Sequence, residues 1–160
     1  MTKLSYAIEF VADMNRAVMA RYAPGAAPLG LARLYGCRFI ITGDGYASVA
    51  RAAGQAVHGV LWRITPRDRV TLDRWEGTAG GLYRAAFFPI AHAGRRQPAL
   101  VYVARPRGAG IPRRGYMELI LAAAREWKMS RAYIASLQQW RAPRTTGLGQ
   151  RADGRFGWKR

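Results

Sequence analysis

Strand-like segments outnumber the helices that could connect them, and this order of elements most restricts the fold. Alternating or continuous apolar residues predict strands over 4–11, 29–42, 56–64, 83–91 and 98–104. Helices are predicted over 14–22, 66–76, 116–127 and 130–140. Several neighbouring strands are joined by loop-length segments, whereas a doubly wound parallel sheet needs longer crossovers. The pattern predicts an α+β fold in which a small mixed or mainly antiparallel sheet closes into a β-barrel with flanking helices.

The helix that follows the third predicted strand has the clearest end signals in the chain. Thr65 is a suitable N-cap, Pro66 stands at the first helical position, and Asp68 stands where the acid of a capping box belongs. The helix is predicted to end at Glu76, because Gly77 is a natural C-terminal glycine.

Length and composition indicate one domain with a short tail. The chain has 160 residues, half of them hydrophobic, which suffices for a buried core. We assign residues 1–140 to the domain and residues 141–160 to a basic tail rich in arginine and glycine. No apolar run approaches the ~18–20 residues of a membrane span, and the N-terminus lacks a signal-peptide pattern. A cytoplasmic protein without membrane contact is predicted.

Metal and disulfide chemistry find little support in the sequence. The single cysteine, Cys37, excludes an internal disulfide and favours a reducing compartment. The two histidines, His58 and His92, do not combine with it in the spacing typical of zinc ligands. We expect no metal and no cofactor.

The charge is strongly basic and has two interpretations. The chain carries 26 basic residues against 9 acidic ones, a formal net charge of +17. Such an excess can attract nucleic acid or another anionic surface. However, 23 of the 26 are arginine, an excess that a GC-rich coding sequence would also produce. Most of them are scattered along the chain, and scattered arginines usually lie on solvated faces. Nucleic acid is therefore the less favoured partner.

Among the few acids, Glu76 has the most suggestive position. It ends its helix immediately before a glycine-rich loop. The helix macrodipole opposes negative charge at a C-terminus, so the pKa of this carboxyl is expected to rise. A carboxylate with a raised pKa is a better general base than an ordinary surface one. A solvated or arginine-paired helix end is the alternative explanation.

The most specific pattern is the run VHGVLWRITPRDRVTLDRWEGTAGGLYR, residues 57–84. It resembles the γ-glutamylcyclotransferase-like (AIG2-like) family, whose signature here is V-x-G-x-L-W-x-L-T, then L-D-x-x-E-G, then G-x-Y-x-R. Weaker similarities to that family follow the same order in segments 14–24, 29–39, 99–103 and 112–124. The resemblance covers roughly residues 4–140 and implies a small closed β-barrel with flanking helices.

The resemblance also implies a reaction. A γ-glutamyl amine or peptide would cyclise to 5-oxoproline and release the free amine. Glu76 aligns with the family's catalytic glutamate. By this resemblance it would take a proton from the α-ammonium and later protonate the leaving nitrogen. Because the substrate supplies the nucleophile, no Ser–His or Cys–His pair is needed. The partner implied is thus a small γ-glutamyl-type substrate of a transferase- or lyase-like enzyme.

The segment that should hold the glutamyl group departs from the family pattern. Phe10, Val11, Ala12 and Asp13 stand where the family ordinarily has Tyr-Gly-Ser-Asn. Valine does not easily adopt the positive φ that glycine allows, and alanine lacks the hydroxyl. An aspartate replaces the amide, and its negative charge would oppose a developing oxyanion. These four residues are expected to form an altered substrate-binding segment.

Two tyrosines, Tyr83 and Tyr102, correspond to family positions that tend to face the pocket, and we predict that they line it. Two other functions stay open. One is a catalytically inactive barrel that binds a small molecule. The other is a basic module that binds nucleic acid or an acidic partner. The sequence does not indicate an oligomeric state.

Overall fold

The computed structural model describes residues 4–141, and their elements follow the predicted order. The strands are β1 (Ser5–Glu9), β2 (Ala27–Ile41), β3 (Ala47–Ile64), β4 (Tyr83–His92) and β5 (Arg95–Ala104). The helices are α1 (Arg16–Tyr22), α2 (Pro66–Trp75), α3 (Tyr116–Glu126) and α4 (Arg131–Gln138), and a 3-10 turn, Ala12–Met14, precedes α1. The basic tail predicted for 141–160 lies, from residue 142 onward, outside the described residues.

The strands form a closed barrel in the order β1-β3-β2-β4-β5. Neighbouring strands pair antiparallel, except that β1 and β5 pair in parallel and close the barrel. The predicted mixed barrel with flanking helices is confirmed. Because β1 and β5 run in the same direction, their carboxyl ends lie at the same rim.

Long strands β2 and β3 form the largest hairpin of the barrel. Their register shifts between Pro28 and Gly30 and again between Tyr35 and Cys37. The irregularities coincide with two glycines, Gly30 and Gly36, whose φ angles of 123° and 72° favour glycine. The hairpin also shows that β3 begins at Ala47, well before the predicted start at residue 56.

Helix α2 begins and ends as its sequence predicts. The Thr65 side chain accepts from the backbone N–H of Asp68, and the Asp68 carboxylate accepts from the backbone N–H of Thr65, so the capping box is complete. At the other end, Gly77 has a φ of 67°. This left-handed conformation reverses the chain directly after Glu76.

Helices α3 and α4 cover the barrel with their apolar faces. Met117, Ile120 and Leu121 of α3 and Leu137 of α4 are buried in the same core as the inward side chains of the strands. Trp127, directly after α3, donates its indole N–H to the Met14 carbonyl at 2.6 Å. This contact ties α3 to the 3-10 turn. Within residues 4–141, no helix is both long enough and apolar enough to cross a membrane.

Candidate functional site

Three carboxylates meet at the rim where β1 ends. Glu9 is the last residue of β1, Asp13 lies in the 3-10 turn, and Glu76 directly follows α2. One carboxylate oxygen from each lies within 4.8 Å of the others. The residues are only 4%, 3% and 1% exposed. We call Glu9, Asp13 and Glu76 the acidic cluster.

Close strand packing brings Glu9 to this position. Glu9 pairs with Val60 of β3, next to Gly59. A Cβ added at Gly59 would lie 2.5 Å from the Glu9 carbonyl oxygen, so only glycine allows the end of β1 to approach β3 this closely. The backbone N–H of Glu76 bonds to the Leu72 carbonyl at 2.8 Å, which holds the glutamate at the last turn of α2.

The electrostatics of the acidic cluster favour cations and protons. Like charges this close, and shielded from water, oppose full ionisation of all three groups. The cluster is therefore suited to sharing a proton or to facing a positive group. Carboxylate oxygens are also the ligands that hard metal ions prefer, but three acids in proximity do not by themselves identify a metal site.

Tyr102 connects the acidic cluster to the surface of α2. The parallel register pairs Ala7 with Leu100, so Glu9 and Tyr102, two residues further along each strand, are neighbours. The Tyr102 hydroxyl donates to Asp73 Oδ1 at 2.7 Å. Burial first, then the hydrogen bond to Asp73, and further the charge of Glu9, raise the pKa of Tyr102. It therefore acts as a neutral hydrogen-bond donor.

An aromatic pair stands beside the acidic cluster. Tyr22 of α1 stacks on Trp75, with 3.9 Å between the ring centroids. Burial and then the charge of Asp13 raise the pKa of Tyr22, which indicates that Asp13 is close. The Trp75 indole nitrogen is buried and has no hydrogen-bond partner among residues 4–141. Since a buried donor without a partner is costly, an acceptor from a ligand would suit it.

The other predicted site residues are buried as well. Phe10 and Val11 belong to the hydrophobic core, and Ala12 is 2% exposed. Tyr83 is also buried, and its hydroxyl donates to the Ala47 carbonyl at 3.0 Å. Within the substrate segment predicted at 10–13, Asp13 is the residue that lies beside Glu76.

Sequence reasoning missed Glu9, Tyr22 and Asp73. Glu9 carried a signal, because it is the one acid within an otherwise apolar strand, and a charged residue is rarely buried without a reason. Asp73 stands in the L-D-x-x-E-G block, but its hydrogen bond to Tyr102 joins residues 29 positions apart. No local pattern reports such a contact.

A cleft of about 440 Å³, which we call the α4 cleft, lies between α4 and the β2–β3 hairpin. None of the acidic cluster lines it. Its walls include Arg38 and Gln55 from the hairpin and Gln139 and Trp140 from the α4 segment. The rings of His58 and Tyr133 also line it and stack in parallel, 4.1 Å apart.

His58 should make stability depend on pH. Burial and then the Arg33 charge lower the pKa of His58 below its usual 6.5. Its contribution to stability is therefore present above pH 6.5 and is lost as pH falls through the lowered value, because the unfolded chain binds the proton more readily. We expect the difference in free energy of unfolding between wild type and His58→Gln to shrink from pH 8 to pH 5. Urea titrations measure this, and a constant difference contradicts it.

The chain belongs to the AIG2-like family, whose model matches residues 56–137, about half of the chain. The structure is similar to a gamma-glutamyl cyclotransferase, with a TM-score of 0.82 and 19% identity over 92% of this chain and 94% of that one. It is equally similar to an uncharacterised protein from Homo sapiens, with a TM-score of 0.81 and 20% identity over the same shares of both chains.

A further structural relative is YkqA from Bacillus subtilis. Its TM-score is 0.74 and its identity is 26%, over 86% of this chain and 54% of YkqA. This chain thus spans about half of YkqA. No curated protein matches the chain in sequence. The first two likenesses, below 25% identity, concern the fold, which is that of γ-glutamylcyclotransferase-like proteins.

Proposed function

We propose that this protein is a γ-glutamylcyclotransferase-like enzyme that converts a γ-glutamyl amine or peptide into 5-oxoproline and a free amine. The observation that carries the proposal is the acidic cluster, in which Glu76 of the L-D-x-x-E-G block is 1% exposed and lies beside Asp13. Membership of the AIG2-like family and the barrel fold support the same reaction.

The first step is recognition of a cation. The α-ammonium of a γ-glutamyl substrate carries the positive charge that three close carboxylates favour. Glu76 takes one proton from this ammonium and so frees the amine lone pair. The acidic cluster thereby selects substrates with an unblocked α-amine. Because Glu76 is only 1% exposed, neighbouring side chains would have to move for a substrate to reach it.

Ring closure follows within the substrate. The freed amine attacks the γ-carbonyl carbon, and the five-membered ring profits from the high effective concentration of the two groups. The tetrahedral intermediate then breaks its bond to the leaving nitrogen, to which Glu76 returns the proton, and the second proton of the ring nitrogen passes to the released amine as the lactam forms. The Trp75 indole N–H is suited to donate to the substrate carbonyl oxygen.

A substrate panel tests the reaction. The full chain is incubated with γ-glutamyl amino acids and γ-glutamyl amines, and 5-oxoproline and free amine are measured together in equal amounts. An N-acetyl γ-glutamyl amine is the matched control, because its blocked nitrogen cannot attack. Amine released equally from the blocked compound would indicate simple hydrolysis and would contradict cyclisation. If none of the substrates with a free α-amine releases 5-oxoproline, the proposed activity is contradicted.

Asp13→Asn should accelerate the reaction. The substitution restores the amide that the family ordinarily has here and removes a negative charge from beside Glu76. If that charge opposes the developing oxyanion by ~1.4 kcal/mol, the rate rises about tenfold. Steady-state release of 5-oxoproline measures the change. An unchanged or lower kcat in a folded Asp13→Asn protein would show that the carboxylate is not inhibitory.

A further inference from the structure

The surface of this barrel is more basic than the composition alone suggests, because half of its acids are withdrawn from solvent. Residues 4–141 contain 20 basic and eight acidic residues. Four of the eight acids are buried, namely Glu9, Asp13, Asp68 and Glu76. Three of the others, Asp44, Asp73 and Glu118, form ion pairs with Arg107, Arg69 and Arg141. Few carboxylates therefore offset the arginines at the surface, which attracts polyanions.

The α4 cleft combines this charge with groups that recognise bases. Arg38 lines the cleft, and Arg33, which is exposed beside it, is the cross-strand partner of His58, which also lines the cleft. No Asp or Glu within residues 4–141 lines the cleft. The cleft therefore presents positive charge to a ligand, and no carboxylate among the described residues of its wall neutralises that charge.

Aromatic and amide side chains complete the lining. Trp140 is half-buried and packs edge-on against Phe39, with 6.0 Å between centroids. Gln55 and Gln139 are exposed at the cleft wall. A positive groove with aromatic faces is the usual means of holding single strands, because every base has a face that can stack. The amides can in addition donate to and accept from base edges.

We infer that the α4 cleft binds single-stranded nucleic acid. Arg33 and Arg38 contact phosphates, Trp140 stacks on a base, and the volume of about 440 Å³ is suited to a nucleotide-sized portion of the strand. An acidic peptide would use the arginines but leave the aromatic and amide groups without a role. A duplex would keep its bases stacked inside the helix. The inference is independent of the proposed cyclisation, since the acidic cluster lies elsewhere.

Salt-dependent binding tests the arginines. The full chain is titrated with fluorescent twelve-nucleotide oligouridine and oligothymidine at several salt concentrations. Arg33→Gln/Arg38→Gln should weaken binding about tenfold, and should lower the slope of log affinity against log salt by about 1.4, because each single-strand phosphate contact contributes about 0.7.

Arg63→Gln/Arg67→Gln is the matched control. Both residues are exposed, neither lines the cleft, and the pair removes the same charge. This variant should keep affinity within about twofold of wild type. Because every variant keeps residues 142–160, the comparison isolates the cleft. Equal weakening by both double variants would overturn the inference in favour of diffuse charge attraction.

Two further readouts test base recognition. Tryptophan emission should fall on binding, and Trp140→Phe should remove most of that change, because a stacked indole is quenched by the base. A duplex of the same length and polyglutamate should both bind at least tenfold more weakly than the single strand. If either binds as tightly as the single strand, the cleft does not read bases and the inference fails.

Discussion

Glu76→Gln is expected to reduce the release of 5-oxoproline about 10³-fold, within the range that a positioned general acid–base group contributes. The amide is nearly the same size as the carboxylate but can neither accept the ammonium proton nor return it to the leaving nitrogen. The loss should appear in kcat rather than in KM, because proton transfer belongs to the chemical steps. Steady-state measurement of both products separates the two constants.

Glu118→Gln is the matched control for that substitution. Glu118 has a side chain that is 56% exposed and lies 3.7 Å from Arg141, so its replacement should leave kcat unchanged. Circular dichroism of Glu76→Gln should match wild type, which would separate lost chemistry from lost structure. A folded Glu76→Gln protein that turns over at the wild-type rate would remove Glu76 from the mechanism.

Asp68→Ala is expected to lower the free energy of unfolding by about 3 kcal/mol, because it removes several buried hydrogen bonds at once. Asp68 is 2% exposed. It accepts from the backbone N–H of Thr65 at 2.9 Å, from the Thr65 hydroxyl at 2.8 Å and from the backbone N–H of Gly25 at 3.0 Å. The last bond ties the start of α2 to the loop after α1.

Chemical denaturation in urea measures this loss. Asp68→Asn should lie between wild type and Asp68→Ala, since one carbonyl oxygen still accepts. Arg107→Ala is the control, because the ion pair of Arg107 with Asp44 is partly exposed, at 33% and 30% of the two side chains, and should contribute less than about 1 kcal/mol. If Asp68→Ala costs no more than this control, the capping box and its link to Gly25 are not what stabilises α2.

Helix α2 shows why local signals predicted part of the structure well. Thr65, Pro66, Asp68 and Gly77 act on backbone groups within four residues of themselves, so their effect does not depend on the rest of the fold. The start of β3 shows the opposite case. Residues 50–55 read ARAAGQ, which has weak strand propensity. Ala50 and Arg51 extend β3 because they pair with Arg38 and Cys37 of β2, and residues 52–55 continue the strand through the irregularity opposite Gly36.

The acidic cluster, too, could be predicted from the sequence only in part. Glu76 could be chosen from the sequence, because a helix end and a recognisable block of residues mark it. Glu9 could not be joined to it, since the two are brought together by the closure of β1 on β3 and by the space that Gly59 leaves. Likewise, its hydrophobic ring predicts that Phe10 enters the core, but nothing local indicates that Asp13 meets Glu76.

The sequence by itself determined the order of elements, the barrel class, the ends of α2 and the identity of one acid worth testing. These follow from periodicity, capping and short-range sterics, which act between near neighbours in the chain. Only the tertiary structure decided that three carboxylates share one buried rim, that half of the described acids leave the surface, and that Arg38 and several aromatic rings line one cleft. Such results depend on contacts between residues distant in the chain, and these exist only once the barrel has closed.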